Sequence, residues 1–339
     1  MKNIPIENRE LNLGIEILRF LFSLWIVVLH CSIIRKEHKK YFNKGFHVPT
    51  FILLSFYFFY QILCKRDINK VVSRFQRLLI PYILWPLIIL LLNNILLSIF
   101  SFAQFKTKIT FRAFYIQIVM ASTYHVIFWF QFNLIFLTLF FSIISFIFKQ
   151  NLLDIFLILG IISFFLIESQ INYKIFFHFY GSFGKNIGSI IELLPLAVIG
   201  CIYNSIKILS KIEYKSKFFN LLLSFLLFML VKYNIFAYPK GLRYPHILFH
   251  IFASTILFLL FGTAKFKNKN IILIIRNITK FTGGIYYTHT IFRDYLSKIF
   301  IFFNKKSYLS SIVLYIICYI FCFIGNKYFK SNKIKYLFN

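Results

Sequence analysis

Charged side chains are few. They make up 14% of the 339 residues, where a soluble domain carries about 25%. Acidic ones are scarcest, with 10 Asp and Glu against 39 Lys and Arg. That shortage excludes an ordinary soluble surface and fits a chain that faces lipid. A basic nucleic-acid module is also missing. On a soluble chain the net charge of +29 would suggest nucleic acid. Here most Lys and Arg fall in short loops between apolar runs, where topology and anionic headgroups account for them. Membrane lipids are therefore the expected partner, and no nucleic acid is.

Paired cysteines are lacking too. Cys31, Cys64, Cys201, Cys318 and Cys322 are odd in number and lie mostly in or beside apolar runs. They show neither a CxxC pair nor Cys/His metal spacing, so no metal site is expected and they read as small hydrophobes. The N-terminus offers no cleavable signal: its apolar run exceeds the 7–15 residues of such a segment, and no small-residue cleavage site follows. No internal repeat, low-complexity linker or separate soluble domain appears. One membrane domain over 1–339 is the expectation.

What is present is apolar length. The chain is 59% hydrophobic and 21% aromatic, with 48 Phe. About 20 apolar residues cross a bilayer. The runs suggest an all-α polytopic bundle of about ten spans, at 11–34, 46–64, 79–102, 126–148, 152–169, 187–205, 217–236, 246–264, 281–303 and 308–328. Thr110 to Ala121 reads as a re-entrant or interfacial piece. An even count puts both termini on one side, and the loop Lys and Arg balance favours the cytoplasm. The basic stretch Arg35 to Lys44 weighs the other way.

Several polar residues interrupt these runs. The first reads LNLGIEILRFLFSLWIVVLHCSII, with ten residues between Arg19 and His30. Eleven positions are about three turns, so both leave one helix face, about 16 Å apart along the axis. Ionisable groups inside a span mark a polar interior or cavity. The same run also fits an Arg snorkelling to headgroups with a His at the far interface, or an Arg neutralised by Glu16 one turn earlier. Arg74 and Arg77 precede LLIPYILWPL, share a helix face, and suit either phosphate binding or a plain basic inner loop. Pro81 is placed to begin or kink the third span. His125, beside Phe128-Trp129-Phe130, fits an interfacial aromatic belt. Gly283 and Gly284 permit close helix approach, and His289 follows inside that span. Arg293 and Asp294 are sequence neighbours that are not expected to face each other. Glu192, near Pro195, is a further polar group within a span.

In this order the pieces resemble acyltransferase family 3, the membrane-bound acyltransferases. EILRFLFSLWIVVLH matches that family's Arg, ten residues, His pattern at Arg19 and His30. HVPTFILLSFYFFYQIL is similar to its second span, with Ser55-Phe56-Tyr57 in place of Ser-Gly-Phe, a change expected to stay clear of the chemistry. SRFQRLLIPYILW reproduces its paired arginines at Arg74 and Arg77. YHVIFWFQFNLIF resembles its His then Trp-Phe entry with looser spacing. ELLPLAVIGCIY resembles a segment ending in Gly200, and GGIYYTHTIF its late Tyr then His span at His289.

The resemblance implies a ten-span enzyme that moves an acyl group, most often acetyl from acetyl-CoA, to a hydroxyl of a cell-envelope carbohydrate or glycolipid. A multi-pass protein of the bacterial inner membrane is implied with it. Under that reading His30 is the general base, since an imidazole suits removal of a hydroxyl proton. Arg19 orients the acyl-CoA donor, and Arg74 and Arg77 hold its phosphates. His289, His125 and Glu192 support the cavity. A transporter or flippase of a lipid-linked sugar would explain intramembrane Arg and His equally well, but no pair of matching broken helices is seen.

Overall fold

A computed structural model of the chain describes residues 6–30, 47–100, 110–120, 128–148, 151–168, 171–208, 222–227, 229, 244–264, 268–300, 303, 308–329 and 331–338. The described residues form helices and no strand. They are α1 (Ile6–His30), α2 (His47–Lys65), α3 (Ile68–Phe100), α4 (Phe111–Met120), α5 (Phe128–Ile147), α6 (Leu152–Glu168), α7 (Ile171–Ser205), α8 (Tyr244–Gly262), α9 (Lys269–Thr279), α10 (Thr282–Ile299), α11 (Tyr308–Tyr328) and α12 (Asn332–Lys335).

In lipid every backbone polar group must be satisfied within the chain, which is why long apolar runs become helices. Six stretches, in α1, α2, α3, α5, α7 and α11, are long and apolar enough to cross a bilayer, and α6, α8 and α9 hold shorter apolar stretches. The chain is therefore a polytopic helical membrane protein. α10 is more polar, yet Thr282, Thr288, His289 and Thr290 are all buried. A helix wrapped by neighbours can carry such groups because they need not meet lipid. Lipid-facing surface shows instead on α11, where Ile312, Ile316, Ile320 and Phe323 form an exposed stripe.

One expected boundary moves. The third span begins at Ile68, so Pro81 and Pro86 stand inside α3 and the paired arginines lie on the helix itself. Proline survives in a span when a neighbour re-satisfies the loosened backbone. Pro81 leaves the carbonyl of Arg77 without its helical donor, and at the next carbonyl Gln131 of α5 donates to Leu78 at 2.8 Å and braces this turn from outside. The sixth span lies where expected, at Gly188–Ser205, and forms the latter half of α7, which starts at Ile171. The expected seventh span, 217–236, lies largely outside the described residues. Phe111–Met120 is a short helix that packs on α3, with Tyr82 donating to the carbonyl of Ile118 at 2.6 Å.

The most extensive helix contact joins α2 to α7. Ile52, Phe56, Phe59 and Leu63 recur at helical spacing and are fully buried against Leu193, Ala197 and Cys201. Gly200 lets the two backbones meet: a methyl there would overlap the carbonyl oxygen of Leu53. A second core joins α1 to α8 through Leu18, Phe22 and Phe258. A third gathers α3, α10, α11 and the C-terminal segment. There Leu337 and Phe338 are buried, Trp85 donates to the carbonyl of Leu337 at 3.3 Å, and Gly284 leaves room for the backbone of Phe338.

Forcing a methyl into a closed contact costs about 1–3 kcal/mol. Gly200→Ala should lower the unfolding temperature in detergent. Gly188→Ala, where no atom lies within 4 Å of the added carbon, should not lower it.

Candidate active site

The middle of α1, the central turns of α2, the first third of α3, the start of α5, the start of α10 and the C-terminal segment meet around a cavity of about 650 Å³. Four cations line it: Arg19, Arg74, Arg77 and Lys280. Glu16 is the one carboxylate among its lining residues.

Neutral groups hold these cations. Arg74 of α3 donates through NH2 to Ser55 Oγ at 2.6 Å and through Nε to Thr138 Oγ1 at 3.4 Å. Its Cζ stands 4.3 Å above the Phe59 ring and 5.7 Å from that of Phe56, both within cation–π range. Arg19 donates to Thr282 Oγ1 at 3.3 Å. Thr282 in turn donates to the carbonyl of Thr279 at 3.0 Å, which ties it to the end of α9. Arg77 is exposed and only touches the carbonyl of Ser73 on its own helix, at 3.4 Å. Glu16 does not neutralise Arg19 through an ion pair. It lies 3.9 Å from Nε of Arg276 on α9, a half-exposed contact contributing about 0–1 kcal/mol. Glu16 lies near enough for its charge to act on Arg19, yet four cations against one carboxylate leave the lining cationic, and such a surface suits an anion with several acceptor oxygens.

A second polar centre lies further along α1. The rings of His30 and His289 are 5.1 Å apart between centroids. His47, at the start of α2, is close enough for its charge to interact with that of His30. Neither His30 nor His289 is among the residues lining this cavity. The cavity stops short of them: it reaches Ile26, one turn before His30, and Tyr286, whose ring centroid is 6.2 Å from that of His289. Arg19 and His30 therefore leave the same helix into two neighbouring environments, about three turns apart.

Other expectations fare differently. Arg293 and Asp294 do meet, with Nε donating to Oδ1 at 2.8 Å. The long Arg side chain folds back along its own turn, which the spacing argument for helix neighbours overlooks. The Ser55-Phe56-Tyr57 variation is not remote from the site, since Phe56, in the place of the Gly, has its ring centroid 5.7 Å from Arg74 Cζ. Glu192 is half-buried on α7 and is not among the residues lining the cavity. His125 lies outside the described residues. Sequence reasoning missed Thr138, Thr282, Tyr286, Lys280 and Tyr336. Hydroxyls and tyrosines in an apolar run carry no periodic signal, and only the assembled bundle shows what they hold.

A family model described as an acyltransferase domain matches residues 12–327, nearly the whole chain. No curated protein and no solved structure matches it.

A ligand at a hundred times its dissociation constant stabilises a fold by about 2.7 kcal/mol. Millimolar pyrophosphate should raise the unfolding temperature of the purified protein. Replacing both guanidiniums, in the variant Arg19→Met with Arg74→Met, should remove most of that rise. An equal rise in both proteins would place the anion elsewhere.

Proposed function

The chain belongs to the acyltransferase 3 family and is an integral membrane acyltransferase, and from that premise we propose that it moves an acyl group, acetyl foremost, from acyl-CoA to a hydroxyl of a cell-envelope carbohydrate or glycolipid. The observation that carries this reading is the cation-lined cavity ending one aromatic ring away from a pair of imidazoles. Coenzyme A is a polyanion with a thioester at its far end. A donor seated with its phosphates among Arg19, Arg74 and Arg77 would extend its acyl end toward Tyr286 and the histidines.

In this reading His30 is the general base. The acceptor O–H bond breaks as the acceptor oxygen attacks the thioester carbonyl, and the proton passes to the imidazole. The C–S bond then breaks, and the leaving thiolate takes that proton. Arg19 orients the donor below the ring. Tyr336 lines the cavity beside Arg74 and Arg77, so cytoplasmic termini would set these groups toward the side where acyl-CoA is made. His30, at the other end of α1, would then meet a glycan on the outer side. A bacterial cytoplasmic membrane suits this arrangement.

General-base catalysis contributes about 10²–10⁴-fold. Membranes given radiolabelled acetyl-CoA should transfer label to carbohydrate. His30→Ala should lose at least about 100-fold of that rate while its abundance in the membrane is unchanged. Arg74→Ala with Arg77→Ala should mainly raise KM for acetyl-CoA. Substrate movement without consumption of acetyl-CoA would favour a flippase, and a His30→Ala rate near wild type would remove the base assignment.

A further inference from the structure

α1 ends at His30, and the last carbonyls of a helix have no partner within it. The carbonyl of His30 finds one on α10, where Arg293 NH1 donates to it while Nε and NH2 hold Asp294. One turn earlier, on the same face of α10, stands His289. The helix that anchors the backbone of His30 therefore also presents a ring to its side chain.

The state of that ring is fixed by its surroundings. His289 is fully buried, and its Nδ1 lies 3.0 Å from the carbonyl oxygen of Ile285. A carbonyl only accepts, so Nδ1 carries the hydrogen, and in the neutral imidazole Nε2 is left as a bare acceptor. This Nε2 is buried without a hydrogen-bond partner, a costly condition that calls for a donor. His30 is only half-buried, so an incoming hydroxyl can reach His30 but not Nε2 of His289. A centroid separation of 5.1 Å leaves room for one nitrogen-to-nitrogen hydrogen bond after a turn of the His30 ring.

We propose that His289 is a positioning residue for His30, its Nε2 accepting the ring N–H of His30 and so leaving the other nitrogen of His30 as the lone pair that meets the acceptor hydroxyl. This rests on the acyl-transfer reading, in which His30 is the base. The acceptor proton enters at the open nitrogen of His30 and leaves from it to the coenzyme A thiolate. His289 stays neutral throughout. Its hydrogen bond strengthens when His30 becomes an imidazolium, because bonds from a charged donor are stronger, and this favours the charged intermediate over the ground state. The same logic governs base and orienter pairs in other acyl-transfer sites.

The test uses the full-length protein in lipid nanodiscs, labelled with ¹⁵N-histidine. Comparison with the spectrum of His30→Gln assigns the His30 nitrogens. In the wild type, His289 should show a protonated Nδ1 and a bare Nε2, and His30 a single tautomer. In His289→Met, His30 should become a mixture of tautomers. Radiolabelled acetyl-CoA supplied to host membranes gives the kinetic arm. There His289→Met should lose at least about tenfold in kcat with KM for acetyl-CoA unchanged. His289→Gln, which can put a carbonyl oxygen near the place of Nε2, should recover most of the loss. The proposal is overturned if Nδ1 of His289 is the bare nitrogen in the wild type, if the His30 tautomer survives in His289→Met, or if that variant keeps full kcat. The wild-type spectrum decides even if the variant folds poorly. Failure of the acyl-transfer reading looks different: wild-type membranes would move no label to carbohydrate, or His30→Ala would keep its rate, whatever the tautomers are.

Discussion

A guanidinium set among apolar helices has to be held by something, and in this bundle hydroxyls hold it. Ser55 and Thr138 receive Arg74, and Thr282 receives Arg19. A carboxylate would bind each cation more tightly but would cancel its charge. Neutral acceptors satisfy the N–H groups and leave the field intact. Full burial of such a charge would cost several kcal/mol, so the cations line a cavity where water or an anion can reach them. The arrangement of α1, α2, α3, α5 and α10 follows, because each must supply a cation or an acceptor to the same space.

The cation-lined cavity and the paired imidazoles are separated along α1. Arg19 stands near the middle of that helix and His30 at its end. Both rest on the same two helices: α1 carries Arg19 and His30, while α10 carries Thr282 and His289. A shift of α10 against α1 would disturb both centres at once. Arg293 opposes such a shift by tying α10 to the last carbonyl of α1.

Much of this was legible in the residues. Apolar length alone gave the helical membrane class, since a bilayer leaves a long apolar run few other options. Arg19, Arg74 and Arg77 were legible because charge in a span is rare and costly. The pairing of His30 with His289 was not, because 259 positions separate them in sequence and no periodicity links α1 to α10. The start of α3 was misjudged for a local reason: Pro81 reads as a boundary unless a distant Gln131 is known to support the backbone beside it. Glu16 acts on Arg19 one turn away, as its position suggests, but its second cation, Arg276, arrives on α9 from far along the chain and had no local signal.

The C-terminal segment belongs to the wall of the chamber. Tyr336 lines it, and Leu337 and Phe338 are packed behind, with Trp85 holding the backbone of Leu337. During translation the ribosome delivers Arg19 early and Tyr336 only after some three hundred further residues. The helices can enter the membrane one after another, yet the pocket lacks this part of its wall until Tyr336 has emerged and packed into place. A nascent polypeptide already threaded into the bilayer would thus hold its arginines around an unclosed space, and the capacity to grip a ligand would come late in the protein's synthesis.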